Sequence, residues 1–366
     1  MARNADLTQL IEKHRALDAA VKSNREHFLS DWNGDHPFVE QYLGPELLNF
    51  KLGKPLPSGY IYFDDEPDVL DAACALHLKL DRLELSRRNV AAGPGSSSLL
   101  VAFSLWLLQQ GHDEVYYVPP LYYTFHYFLR LLGIRLRPVS GKQAFEPGAA
   151  LNLPRRRTVL LLCDPVWYAG KRVAAEKVLA IAEWQRRTGS LVFIDGSFQY
   201  MQWDGGRGEQ TAALDPELTF RLVSPTKALA IPFFRFAYLL HPSQFHDDFL
   251  FLYESIVGGA NVSDLAFARR SLEVLASAES NRGLTALLSG TYDQLSRKEF
   301  IRTNIAPECG YFVFAVPTVE LPGQVVMDQD YFELKNYPGY VRINLMVARR
   351  VFSEAVRADE HPSTDG

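Results

Sequence analysis

Apolar residues recur at near-helical spacing through residues 5–31, at Leu7, Leu10, Ile11, Leu17, Ala20 and Val21, which predicts an amphipathic helix. DWNGDHP (31–37) breaks that pattern, and Pro and Gly punctuate the chain to about residue 59. A second helix is predicted over 67–84. After Asn89 the rhythm changes. VAAGPG reads as a strand end or tight turn, and SSSLLVAFSLWLL as a buried helix with a serine-rich start. VYYVP predicts a short strand and YTFHYFLRLL a helix. TVLLLCDP (158–165) is a continuous apolar run stopped by a polar residue, as a central parallel strand would be. A helix over 173–187 separates it from a similar run, SLVFID (190–195). LTFRLVS (218–224) and FAYLL (236–240) complete the strands of this part, and beyond about 255 helices dominate, with short strands near 310–315 and 340–346.

Strands alternating with helices predict an α/β domain with a mostly parallel central sheet, followed by a smaller α+β domain. The expected division is an N-terminal helical arm at 1–55, a large domain at 56–254 and a small domain at 255–366. There is no internal repeat or low-complexity tract, and only HPSTDG at the end reads as a loose tail.

The 366 residues are 47% hydrophobic and 22% charged, enough for one large domain or two smaller ones. A formal charge of −5 and a pI near 6.0 argue against nucleic acid or an anionic membrane as the main partner. Cys74, Cys163 and Cys309 are widely separated and form no CxxC pair, so neither a disulfide framework nor a thiolate metal site is expected. No run approaches the roughly 18 apolar residues of a membrane span. The charged N-terminus lacks an apolar signal core, and the expectation is a soluble, cytoplasmic protein.

Ligands of open α/β sheets bind at the carboxyl ends of strands, and four predicted strand ends carry chemistry. GPGSS (93–97) opens a helix, where glycines, orphan N–H groups and serine hydroxyls suit an anion. It is neither GxGxxG nor a P-loop, and ordinary capping explains it as well. Asp164 and Asp195 each end an apolar run, and a buried carboxylate needs a cation or donor to offset its desolvation. Arg235 lies among aromatics in FFRFA, which suits pairing with a phosphate or with a buried aspartate. Lys227 sits in SPTKALAIPFF, with no other charge until Arg235. An amine among apolar neighbours loses preference for its ammonium form and becomes nucleophilic, as a Schiff-base lysine must. A surface lysine at a loop-strand junction is the alternative.

Taken in order, these motifs resemble the fold-type I pyridoxal-phosphate enzymes, and within them the class I/II aminotransferase group, over roughly residues 56–350. SPTK (224–227) with Arg235 eight residues on matches the family's Ser-x-x-Lys and arginine, and Asp195 in IDGSF lies 32 residues before the lysine. CDPVWYAG (163–170) stands where the family has its Asn-Pro…Gly turn, and PLY (120–122) matches a Pro-x-aromatic segment. CGYF (309–312) and YVRIN (340–344) resemble a Gly-Gly-x-Phe and the substrate-arginine segment.

The resemblance implies an aminotransferase that moves the amino group of an α-amino acid to a keto acid through a Lys227 Schiff base with pyridoxal 5′-phosphate. A cyclase, lyase or oxidase acting on an amino acid is the alternative. In the implied roles, Lys227 shuttles the proton and Asp195 keeps the ring nitrogen protonated. Ser96, Ser97, Ser224 and Arg235 hold the phosphate, Tyr122 stacks on the ring, and Arg342 clamps the α-carboxylate. Asp164 and Phe198 replace the family's Asn and Tyr beside the ring hydroxyl, which implies a raised pKa for the resting Schiff base and a divergent member of specialised metabolism. Tyr168 or Tyr200 is a candidate substitute hydroxyl. The resemblance further implies a homodimer, with Tyr60 or Tyr62 reaching the partner's phosphate and the first 50 residues serving as a swapped arm or lid. The aromatic surplus, including Tyr122, Tyr123, Phe125, His126, Phe233 and Phe234, suits a pocket wall or core packing.

Overall fold

The computed structural model describes residues 2–23, 29–30, 60–140, 146, 148–206, 208–231, 234–277, 281–321, 324–332, 334 and 336–360. The 31–37 turn, the stretch to 59, Phe233 and the HPSTDG tail lie outside them.

The first helix, α1 (Ala2–Ser23), is shorter than the spacing predicts, and Leu29 and Ser30 form a turn instead of continuing it. Next comes α2 (Pro67–Asp81), which begins on a proline suited to a first helical turn and stops where Arg82 turns left-handed (φ 59°), before the expected residue 84. The larger layer then builds as β1 (Val90–Gly93), α3 (Ser96–Gln109), β2 (Glu114–Tyr117), α4 (Tyr123–Leu131), β3 (Arg135–Pro138), β4 (Val159–Cys163), α5 (Ala175–Thr188), β5 (Leu191–Gly196), β6 (Thr219–Val223), the short α6 (Pro225–Ala228) and β7 (Ala237–Leu240). Among these strands only β3 has no counterpart in the apolar pattern. It is an edge strand whose Arg135 and Arg137 pair with Asp113 and Glu114, so it carries charge where a central strand carries Val or Leu.

The seven strands order β1-β7-β6-β5-β4-β2-β3, and β7 alone runs antiparallel to its neighbours. Strands β4 and β5 are buried along their whole length, which explains their unbroken apolar runs. Phe103 and Trp106 of α3 and Phe125 of α4 pack one face around Phe193 and Phe220, while Val178, Ile181 and Trp184 of α5 pack the other against Leu160, Leu162, Val192 and Ile194.

Helix α7 (His246–Val257) packs on α3, so the expected boundary at residue 254 falls within a helix of the larger layer. Beyond it α8 (Val262–Ala276) lies across α2, and α9 (Arg282–Arg297) leads into β8 (Ile301–Arg302), β9 (Phe312–Pro317), β10 (Met327–Asp328), β11 (Val341–Asn344) and α10 (Leu345–Glu360). The last four strands form an antiparallel sheet, β10-β11-β9-β8.

One consequence positions the chemistry. Parallel β1, β4, β5 and β6 end on one rim, and antiparallel β7 starts there, because Ala237 lies opposite Gly93 and Tyr238 opposite Val223. Arg235 therefore arrives at the same rim as Gly95, Asp164, Asp195 and Ser224.

Candidate active site

The anion corner forms where β1 turns into α3. Gly95 caps α3 at φ 94°, and a Cβ on it would sit 2.5 Å from Nη2 of Arg235. Glycine thus permits both the left-handed turn and the close approach of the guanidinium. Gly93 is equally constrained, since a Cβ there would overlap the Tyr253 hydroxyl of α7 at 1.4 Å. Ser98 donates to the Gly95 carbonyl (3.0 Å), which steadies the turn. Ser96 is half-buried, while Ser97 and Arg235 are exposed. Ser224 is buried, and its hydroxyl has no hydrogen-bond partner among the described residues.

Lys227 rises from α6, which Ser224 and Pro225 start at the end of β6. Its Nζ lies 4.8 Å from the Phe198 ring centroid and 5.5 Å from that of Tyr122. Burial lowers its pKa from the ordinary lysine range; the Asp195 charge opposes that shift, and the Arg235 and Arg342 charges add to it. Asp195 is buried at the end of β5, with Oδ1 accepting from the Ser197 hydroxyl (2.5 Å) and backbone N–H (3.1 Å). Tyr122 is half-buried, and burial pushes its phenol pKa upward. Phe198 meets Tyr311 and Phe312 edge-on.

Asp164 sits beside Asp195, whose carbonyl accepts its N–H at 3.1 Å. Its buried Oδ1 accepts from the Val173 N–H (2.8 Å), and Oδ2 has no partner among the described residues. Burial pushes this carboxyl up to about 6. Of the two candidate hydroxyls, that of Tyr200 is committed elsewhere. Tyr200 donates to Asp81 at 2.7 Å and lies against His77, beneath the sheet. Tyr168 stacks on Phe332 with its hydroxyl buried in electrostatic reach of Glu146 and Cys163.

Arg342 reaches the site from β11 and is wholly buried, 0% exposed. Its guanidinium lies 4.1 Å from the Phe312 ring centroid and 5.4 Å from that of Trp167. Nη2 donates to the Ser30 carbonyl, and the Ser30 hydroxyl donates to the Arg342 carbonyl while accepting from the Met327 N–H (2.9 Å). The Asn344 N–H donates to the Leu29 carbonyl (2.9 Å), so the turn at 29–30 docks along β11.

The fold therefore gathers Lys227, Asp195, Arg235, Arg342, Tyr122 and Phe198 around one amine, with Asp164 next to Asp195 and Ser96, Ser97 and Ser224 on the same rim. Tyr60 stands 85% exposed beside Gly259, and Tyr62 is half-buried. Residue spacing did not point to Ser197, Ser30 or Trp167. Ser197 was the most accessible of these, because a hydroxyl two residues after a buried aspartate is a ready local donor. Among the described residues no group of His, Cys, Asp and Glu could hold a metal ion, and no helix is long and apolar enough to cross a membrane.

The family model for aminotransferase class I and II matches residues 57–309. No curated protein matches the chain. Among solved structures, a probable N-succinyldiaminopimelate aminotransferase from Thermus thermophilus is similar at 19% identity, with a TM-score of 0.74 over 95% of this chain and 99% of that one. Aspartate aminotransferase from Thermotoga maritima is similar at 14% identity, with a TM-score of 0.77 over 98% of each chain. N-succinyldiaminopimelate aminotransferase from Mycobacterium tuberculosis gives 15% identity and a TM-score of 0.73 over 94% of this chain and 95% of that one. At such identities the likeness concerns the fold, whereas the family match covers most of the chain and favours amino-group transfer over cyclisation, elimination or oxidation. The chain belongs to the class I and II aminotransferase family of fold-type I pyridoxal-phosphate enzymes.

Proposed function

We propose that the chain transfers the amino group of an α-amino acid to a keto acid with pyridoxal 5′-phosphate held at the rim of the larger sheet, Lys227 being its covalent anchor. The observation that carries this reading is the setting of one amine: two aromatic rings surround Lys227 while an acid and two arginines act on it from three other elements.

The residues fit such a group. Ser224 offers a buried hydroxyl with no partner among the described residues, and Gly95 leaves room at a helix N-terminus beside Arg235. Backbone N–H groups of α3, the Ser96, Ser97 and Ser224 hydroxyls and Arg235 would hold a phosphate. Asp195, kept in place by Ser197, would hold a proton on a ring nitrogen. When bound, the cofactor supplies an electron sink that stabilises negative charge at the substrate Cα. The lowered pKa of Lys227 favours its neutral form, so its Nζ can take the proton from Cα and return it on the other side of the exchange. Tyr122 and Phe198 limit water around that amine, and Arg342, stiffened by Phe312 and Trp167, orients the α-carboxylate. A cytoplasmic homodimer belongs to the same reading; members of the family are often dimers, and the exposed Tyr60 is available to a second subunit.

Borohydride reduction of the cofactor-loaded enzyme followed by peptide mapping tests the anchor. Labelling at Lys227, and its loss together with at least a 10⁴-fold (about 5 kcal/mol) drop in single-turnover rate in Lys227→Ala, is the expected result. Labelling at another lysine refutes the assignment. Spectra recorded with a panel of amino acids would then identify the donor.

A further inference from the structure

Four half-buried rings from three parts of the chain meet near the amine, and the proposed chemistry uses only Tyr122. Tyr122 caps α4 and Tyr123 begins it, with ring centroids 4.7 Å apart. Tyr331, in the turn after β10, meets Tyr123 edge-on at 6.1 Å and its own neighbour Phe332 at 5.3 Å. Phe332 is buried and meets Trp167 at 5.2 Å, and Trp167 returns to Tyr122 at 5.8 Å. The five rings therefore close a circuit. His14 of α1 sits on it, 4.1 Å from the Tyr123 ring and 5.3 Å from that of Tyr331, whose hydroxyl lies 3.1 Å from His14 Nδ1.

We propose that this circuit of rings, capped by His14 from α1, receives the side chain of the substrate, and that the amino acid bound there is aromatic. The inference rests on the reading of the site given above and names its substrate class.

The place of the circuit carries it. Lys227 Nζ has to reach the proton on Cα, and the Arg342 guanidinium the carboxylate on that same atom. Those two groups lie over neighbouring members of the circuit: Nζ is 5.5 Å from the Tyr122 centroid, and the guanidinium 5.4 Å from that of Trp167. Once both are engaged, the side chain leaves Cα beside Tyr122 and Trp167, where Tyr123, Tyr331 and His14 stand next in line. These rings are not sealed core. Trp106 and Tyr253 are fully buried, whereas Tyr122, Tyr123, Tyr331 and His14 keep part of their surface open to a guest. Ring faces and edges reward an aromatic guest with offset and edge-on contacts, each favouring it over an aliphatic one of equal size by about 2- to 13-fold. An acidic side chain fits less well. Arg342 is committed to the α-carboxylate, and Lys13, beside His14, holds its ammonium over the Tyr331 ring (5.4 Å) while donating to the Asp330 carbonyl. Burial pushes the Tyr331 phenol upward and keeps it neutral, and the Asp18 carboxylate of α1 adds negative charge nearby.

Carboxylic acids that lack the amino group test the compartment without any reaction. Dissociation constants are measured for 3-phenylpropionate, 4-methylpentanoate and glutarate, with and without the cofactor; the three share a carboxylate and differ in what it carries. Wild type should bind 3-phenylpropionate at least about 10-fold more tightly than either of the others. Tyr123→Leu and Tyr331→Leu keep apolar bulk but remove a ring, and each should shrink the ratio of phenylpropionate to methylpentanoate affinity by about 3-fold or more. His14→Ala should shrink it as well, because the cap from α1 is gone. Tighter binding of glutarate or of 4-methylpentanoate overturns the proposal, and so does a ratio that neither tyrosine variant moves. If a variant does not fold, the wild-type ratio still decides the substrate class. None of these acids forms a bond to Lys227, so a failure here is distinguishable from labelling at another lysine.

Discussion

Arg235 and Arg342 both act electrostatically on the same amine, yet they are held in opposite ways. Arg235 is exposed at the rim of the larger sheet, lying against the bare backbone of Gly95, with a helix N-terminus and serines nearby. Arg342 is sealed in the smaller layer between Phe312 and Trp167, with the Ser30 carbonyl on Nη2. The contrast follows from the anions each would meet. A phosphate takes most of its donors from backbone and hydroxyl groups, so an arginine can remain hydrated and join when the anion arrives. A small carboxylate has one fork to bind, and a guanidinium left in water would lose rotamer entropy on every encounter. Aromatic faces and one carbonyl settle that ordering during folding, and they offset the desolvation of the charge.

Substitution at Arg342 should give the larger effect. Arg342→Gln is expected to raise KM for the amino acid by about 2–5 kcal/mol, roughly 30- to 5000-fold, with cofactor affinity little changed. Arg342→Lys should recover little, because a single ammonium cannot form a fork and fits poorly between two rings. Steady-state kinetics alongside equilibrium cofactor titration separates the two quantities. Equal losses in both would end the division of labour between the arginines.

Arg235→Lys should act in the other direction. A charge-assisted bond contributes about 1.5–3 kcal/mol, so cofactor dissociation should increase by roughly 10- to 150-fold while KM for the amino acid in saturating cofactor holds. The partial retention of charge and the exposed position of Arg235 keep this loss below that at Arg342.

The same contrast governs what the sequence revealed. Around Arg235 nearly everything was legible, because the information is local. Apolar runs such as SLVFID are continuous where strands are buried on both faces, their terminal polar residues mark the rim, and Ser224, Lys227 and Arg235 lie within twelve residues of one another. At Arg342 the arginine itself stood out, but its supports did not: Ser30 is 312 positions away, and a serine in a polar stretch carries no periodic signal. Asp81, Arg221 and Glu209 each resemble ordinary solvated charges, and only tertiary packing buries them together. Tyr200 was a reasonable candidate for the missing hydroxyl by proximity to Asp195, and that same cluster claims it. The strands β3, β8 and β10 escaped notice because they are charged at an edge or only two residues long.

Two serines give the smallest and sharpest form of the comparison. Ser30→Ala removes a buried hydroxyl that bridges the Arg342 carbonyl and the Met327 N–H. Both backbone groups would lose this partner, so stability should fall by about 1–3 kcal/mol in denaturant unfolding, and KM for the amino acid should rise as Arg342 loosens. Ser97→Ala instead removes an exposed hydroxyl from the second residue of α3, where the backbone N–H remains and alanine is the better helix former. Its unfolding should be unchanged or slightly improved, with only about 0.5–1.5 kcal/mol lost in cofactor binding, roughly 2- to 13-fold. A Ser97→Ala protein that unfolds as readily as Ser30→Ala would mean that the open corner is as preorganised as the sealed one. The two arginines would then differ in exposure alone, and not in how each is made ready for its anion.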